Sequence, residues 1–264
     1  MIAKIKALCF VVLTVVSVSN GNSLNAQKSS LPEPILAVLN KAIEAHGGYT
    51  KLSTHRADRV KMKGAIQFAG VDATFKGETT VQLPDQMKTI QEITVKGKSF
   101  NVIQVLDKDK VMVNLNGQPQ KAEEPIAIQI KETMRLAKII RLVPLLTGKE
   151  FEVTDLGLIK AGELNLHGIK VKEVSKPDIL LFFDRQTGFL VKTEQIREFE
   201  NKKVVQEDYF SDFRDLGGFK RPVKIQSFRN GKKILDAELV EVRYFENLPS
   251  GSAKPQGSFN HSQW

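Results

Sequence analysis

From Asp58 onward the chain alternates. Val60, Met62, Gly64, Ile66 and Phe68 alternate with Lys61, Lys63, Ala65 and Gln67. Phe75, Gly77, Thr79, Val81 and Leu83 alternate with Lys76, Glu78, Thr80 and Gln82. A period of two places successive side chains on opposite faces, so each run reads as a strand with one buried and one wet face. Pro84-Asp85 turns the chain, and strands are expected over 87–95, 100–106 and 111–115. After an interruption they resume over 151–156, 169–174, 179–184, 189–199, 204–213, 219–229 and 234–245. The links are short and polar: Lys96-Gly97-Lys98, the 107–110 turn, Asn116-Gly117, the 184–188 turn and Asn230-Gly231. Glycine at such points supplies the positive φ of a tight hairpin, so the strands pair antiparallel.

Two segments carry the helical period instead. Residues 31–46 place Ile35, Leu36, Leu39, Ala42 and Ile43 on one side, with Pro34 in the first turn and Gly47-Gly48 as the stop. Residues 123–146 form the second helix, opened by Pro125 and closed near Pro144 and Gly148. With Ile126 at the origin and 100° per residue, Lys131, Arg135, Lys138 and Arg141 occupy an arc from about 60° to 180°. Ile128, Leu136, Ile139, Val143, Ile140, Ala137 and Ile130 fill the rest, an apolar arc of about 200° against the roughly 100° of an ordinary surface helix. That width suits a helix sunk into a concave trough with its basic side at the mouth. The expected fold class is therefore α+β, mainly antiparallel β. It is a curved half-barrel of about 11 strands, with an N-terminal helix and one inserted helix covering the concave face. No composition shift divides 27–248 into two cores.

The start of the chain reads as an address. Lys4 and Lys6 precede a short apolar run over 7–18, then a polar stretch ending in Ala26. This is the order of a secretory signal peptide, and the apolar run is too short to span a bilayer. Cleavage near Ala26 would remove the one cysteine, Cys9, leaving a chain that relies on its core rather than on disulfides. The expected location is the periplasm. Residues 249–264, rich in Gly, Ser and Pro, are expected to form a disordered tail.

Composition removes most chemistries. The net charge is +9 (39 Lys+Arg against 30 Asp+Glu), with one Cys and four His in 264 residues. This argues against a Cys-based zinc site or a histidine cluster, so no metal and no cofactor are expected. There is no G-x-S-x-G, H-E-x-x-H, Walker-type or G-x-G-x-x-G motif, and no catalytic residue is assigned. His46 reads as a helix-end residue on a cap or at the surface, His167 as a turn residue, and Asp107-Lys108-Asp109-Lys110 as a hairpin turn. The lysines alternate along strands as on a solvated face, so nucleic acid is not an expected partner.

Three stretches carry a resemblance. Ala45-His46-Gly47-Gly48-Tyr49-Thr50-Lys51-Leu52 is similar to an "A-x-G-G-x-x-x-L" helix end. Asp184-Arg185-Gln186-Thr187-Gly188, with Leu190 and Lys192, resembles an "F-D-x-x-T-G-x-L-x-K" hairpin. Residues 210–222, with Phe210 and Phe213 in place of tyrosines, resemble "Y-x-D-Y-r-x-x-x-G-x-x-x-P". All three belong to exported outer-membrane lipoprotein-sorting-like proteins of the LolA/LolB-like superfamily. The resemblance implies an incomplete barrel whose helices cover an apolar, acyl-chain cavity. The arginine that the sorting carrier uses at its cavity mouth has no matching position here, so lipoprotein transport is not carried over.

The expected activity is non-enzymatic binding or carriage of a lipid or acyl chain in an apolar trough. Its expected lining is Val60, Met62, Ile66, Phe68, Phe75, Val81, Phe100 and Val113 from strands, with Ile130, Leu136, Ile140 and Val143 from the inserted helix. Lys131, Arg135, Lys138 and Arg141 are the expected contacts to a membrane surface. The alternative is an envelope interaction module whose cavity is filled by its own side chains. No protein partner is identified.

Overall fold

A computed structural model describes residues 31–68, 70–147, 150–199 and 202–249. The expected signal peptide and the segment after residue 249 lie outside the described residues. Helix α1 (Glu33–His46) and α2 (Tyr49–Thr54) come first. Strands β1 (Ala57–Phe68), β2 (Val71–Gln82), β3 (Gln86–Val95), β4 (Lys98–Asp107), β5 (Lys110–Leu115) and β6 (Gln118–Gln120) follow. After α3 (Glu124–Ile139) and a short 3-10 turn (Val143–Thr147) come β7 (Glu152–Ala161), β8 (Leu164–Lys172) and β9 (Ile179–Asp184). The last strands are β10 (Leu190–Phe199), β11 (Lys202–Asp215), β12 (Lys220–Arg229) and β13 (Lys232–Phe245).

The strands run in the order β6-β5-β4-β3-β2-β1-β13-β12-β11-β10-β9-β8-β7, thirteen rather than about 11. The strand that the sequence pattern does not show is β6. Gln118-Pro119-Gln120 is exposed throughout and offers no hydrophobic alternation to read. β7 and β8 extend well beyond their apolar cores, and His167 sits inside β8, not in a turn. The hairpin glycines behave as expected: Asn116-Gly117 has φ of 50° and 83°, and Asn230-Gly231 has 47° and 76°, the pair of left-handed residues that matches strand twist. No described helix is long and apolar enough to cross a membrane.

The chain divides into two compact units, each assembled from separated segments, a division that leaves no boundary in composition. One contains His55–Lys138 together with residues from Leu235 onward; the other contains 31–54 and Ile139–Ile234.

In the second unit the three resembling stretches converge on the end of α1. Gly47 has φ of 135°, and a Cβ there would lie 2.9 Å from the Gly218 carbonyl oxygen. Lys51 Nζ donates to that same oxygen at 3.0 Å. Gly188 packs against α1, where a Cβ would stand 3.0 Å from the Lys41 carbonyl oxygen, and Lys41 Nζ donates to the Arg185 carbonyl at 2.6 Å. Backbone approaches this close exclude side chains, which is why the stretches are glycine-bearing.

His46 lies within this junction at 2% exposure, not on the surface. Its Nδ1–H donates to the Ala42 carbonyl at 2.9 Å. Its ring meets the edges of Phe189 and Phe213, which stack on each other at 4.2 Å. Burial pushes its pKa down to about 4, and the nearby Arg221 charge acts in the same direction against the Ala42 hydrogen bond.

Candidate functional site

The first unit places the expected strand lining on one face. In antiparallel pairing, residues directly opposite share a face. The register sets Val60 opposite Thr79, Met62 opposite Gly77, Ile66 opposite Ala73 and Phe68 opposite Val71. It then sets Val81 opposite Met87 and Phe75 opposite Ile93, Met87 opposite Leu106 and Ile93 opposite Phe100, and Leu106 opposite Val111 and Gln104 opposite Val113. All eight strand candidates are thus on the same side. Val60, Met62, Ile66, Phe68, Phe75 and Val81 are buried, while Phe100 and Val113 are half-buried.

Helix α3 covers part of this face. Ile126, Ile130 and Met134 recur every fourth residue and pack with Val81, Met87 and Leu106, flanked by Leu83, Val111 and Val113. This stripe lies at about 0° to 80° on the wheel defined above, beside the basic residues and not at the centre of the wide apolar arc. Ile128, on the far edge of that arc, is 52% exposed. Met87, Leu106 and Met134 therefore belong to the seat although sequence reasoning did not name them; the period-two phase of β3 and β4 was the available signal for the first two.

The far end of the expected helix is different. α3 stops at Ile139, and Leu142 takes a φ of 63°. Pro144 explains the stop. It has no N–H to donate, its ring would clash with the carbonyl four residues back, and it disfavours helical geometry at Val143. Ile140, Arg141 and Val143 are thus off the helix and in the second unit, where Ile140 is buried and Val143 half-buried. Leu136 remains on α3 and is fully buried.

The outward basic arc is also corrected. Arg141 is 1% exposed and Arg135 8% exposed, so neither faces a surface. The Arg135 guanidinium donates to Glu132 Oε2 at 3.1 Å, one turn earlier on α3. Lys131 is the open member, reaching Asp109 Oδ1 at 3.6 Å from a partly exposed position, and Lys138 is half-buried.

The covered face is not uniformly apolar. The next row after the one under α3 reads Val60, Thr79, Thr89, Gln104 and Val113, and the row beyond it Met62, Gly77, Gln91, Val102 and Leu115. Thr79, Thr89, Gln91 and Gln104 are all between 2% and 4% exposed. A third row, with Phe75, Ile93 and Phe100, is apolar again. The face is thus banded: apolar under α3, polar in the middle, apolar beyond. The Thr79 and Thr89 hydroxyls bond to each other at 3.2 Å. Among the described residues no group of three His, Cys, Asp or Glu could hold a metal ion.

No family model matches the chain, and no curated protein matches it. Solved structures do. A LolA superfamily protein from Nitrosomonas europaea aligns with a TM-score of 0.52 at 11% identity, over 83% of this chain and 96% of that one. A DUF1329 family protein from Desulfovibrio piger aligns with a TM-score of 0.53 at 10% identity, over 88% and 99%. An outer membrane lipoprotein-sorting protein domain from Vibrio parahaemolyticus aligns with a TM-score of 0.51 at 7% identity, over 83% and 95%. At these identities the likeness is one of architecture, and the fold of this chain is LolA/LolB-like.

Proposed function

We propose that this protein is a non-enzymatic, exported binder of a lipid or acyl chain, held on the β1–β5 face that α3 partly covers and acting in the periplasm. The observation that carries the reading is the common face: eight apolar positions separated by up to 53 residues in sequence fall on one side of five strands, with a helix of the same unit over one row of that side. Burial of hydrocarbon there stabilises a complex at about 25 cal/mol per Å² without a covalent step. The LolA/LolB-like fold supports the reading as an architecture shared with lipoprotein-sorting domains. A membrane surface as second partner would meet Lys131 and Lys138 but not Arg135 or Arg141.

The alternative, an envelope interaction module with a self-filled core, is favoured by the complete burial of Val60, Met62 and Val81. Titrating delipidated protein with a fluorescent fatty acid separates the two. Saturable binding with displacement by unlabelled lipid is the expected result; no binding at any concentration supports the filled module.

A further inference from the structure

In the second unit the starts of β11 and β13 lie side by side. Asn230 takes a φ of 47°. Its N–H donates to the Val205 carbonyl at 2.9 Å, and its Oδ1 accepts from the Val205 N–H at 2.9 Å. This double contact continues the β11–β12 register one step past Gln206 and Arg229, and it sets Gly231-Lys232-Lys233 beside Lys202-Lys203. All four lysines are exposed. Residues 197–203 and 229–233 together hold six Lys and Arg against two Glu, and one of these, Glu198, stands across from Lys203. The β11–β12 turn at the other end of the same strands is balanced. There Arg214 pairs with Asp212 at 2.7 Å and Lys220 with Asp215 at 3.3 Å. Positive charge is therefore collected at one end of these strands.

Exposed aliphatic side chains stand at that same end. Ile196 and Val205 are opposite each other on β10 and β11, one step beyond the Gln195–Gln206 pair, and are 53% and 38% exposed. Val171, Ile179, Gln195 and Gln206 make one row across β8 to β11, so the β8–β9 link also falls here. Val174 in that link is 87% exposed. An anionic bilayer satisfies both features: its phosphates meet ammonium groups, and its interfacial acyl region takes methyl groups out of water. A soluble polyanion would meet the lysines alone.

We propose that this strand end of the second unit docks on anionic phospholipid headgroups, with Lys202, Lys203, Lys232 and Lys233 against phosphate and Val174 and Ile196 entering the interface. The surface is not that of α3, whose Lys131 and Lys138 belong to the other unit. The inference goes beyond the lipid-binding reading and does not depend on an acyl ligand.

The test is co-sedimentation of full-length mature protein with vesicles of phosphatidylcholine, with and without phosphatidylglycerol. Wild type should bind the anionic vesicles, and high salt should weaken that binding. Replacing the four lysines with Gln should lower the affinity about a hundredfold, whereas Lys131→Gln with Lys138→Gln should leave it within about twofold, since neither lysine is part of this surface. Val174→Asn with Ile196→Asn should weaken vesicle binding about tenfold while binding to soluble heparin is unchanged. All substituted side chains but Lys138 are exposed, and thermal unfolding checks each fold. Equal vesicle binding by wild type and the four-lysine variant overturns the inference, as does loss of binding in the α3 variant alone. An aliphatic variant that binds vesicles like wild type also overturns it, in favour of a soluble polyanion. Fatty-acid dye titration of the four-lysine variant separates the two readings: dye uptake without vesicle binding by wild type sinks the docking surface only, and vesicle binding without dye uptake sinks the acyl-chain site only.

Discussion

The two helices are seated in opposite ways. At the end of α1, glycines bring backbone to backbone, a neutral histidine packs edgewise beside two stacked phenylalanines, and Ile35, Leu39, Ala42 and Ile43 are all at 2% exposure or less. The seat of α3 is one apolar row, bordered by polar rows on the same face. A junction made of close backbone approaches has one geometry. The contact of α3 with its row rests on flexible methionines and leucines, which repack more readily than backbone, while Leu136, Ala137 and Ile139 of the same helix are buried outside the row. The difference is between close backbone contact in the second unit and side-chain packing in the first.

The contrast can be broken most forcefully from the α1 side. Leu39→Ala removes a side chain with no exposure, and should cost about 4 kcal/mol in chemical denaturation, with fatty-acid uptake unchanged in the protein that remains folded. Increased uptake in that variant would mean that α1, not α3, guards the binding surface.

Acid should act on the same junction. His46 is neutral in the fold with its pKa lowered to about 4, whereas in the unfolded chain it takes up a proton near pH 6.5. The unfolded state then binds more protons between these values, so stability rises with pH across that window and is lost as pH falls through it, by about 3 kcal/mol in all. Asp155, Glu207, Asp215 and Glu241 have lowered pKa values and act in the same direction, so the readout is a difference. Wild type and His46→Leu should diverge between pH 6.5 and 4 in urea unfolding, with wild type alone carrying the additional slope.

A smaller effect on stability and a larger one on ligand are expected at the other seat. Met134→Ala should cost about 2 kcal/mol, the low end for such a truncation because half-buried Ile126 and Val113 can close in. The same variant should raise fluorescent fatty-acid uptake, since the helix covers the face less well. A stability loss with no change in uptake would make α3 a core element like α1. Smallest of all is Lys131→Gln. Its partner Asp109 has a side chain 98% exposed, so thermal unfolding should shift by less than about 1 kcal/mol, and less still in high salt.

Much of this was legible in the chain. Alternation is a local property, so Val60, Met62, Phe75 and Val81 could be assigned to one phase of their strands before any pairing was known. The turns were equally local, because Asn116-Gly117 and Asn230-Gly231 tolerate positive φ wherever they occur. The end of α3 was legible in principle, since Pro144 forbids the helix that the apolar pattern extended past it. Its neighbours were not. The wheel ranked apolar and basic arcs by width, but the face that meets the sheet was fixed by Met87 and Leu106, which arrive from strands distant in sequence.

What the sequence determined by itself were most strands and their faces, because period, propensity and turn chemistry act over a few residues. The tertiary structure alone decided that His46 is neutral and enclosed, that three glycine-bearing stretches meet at one helix end, and that Arg135 and Arg141 are buried. It alone decided that Gln91 is buried opposite Gly77. Each of these depends on which distant residue occupies the facing position, and desolvation and hydrogen bonding are set by that neighbour, not by the residue itself.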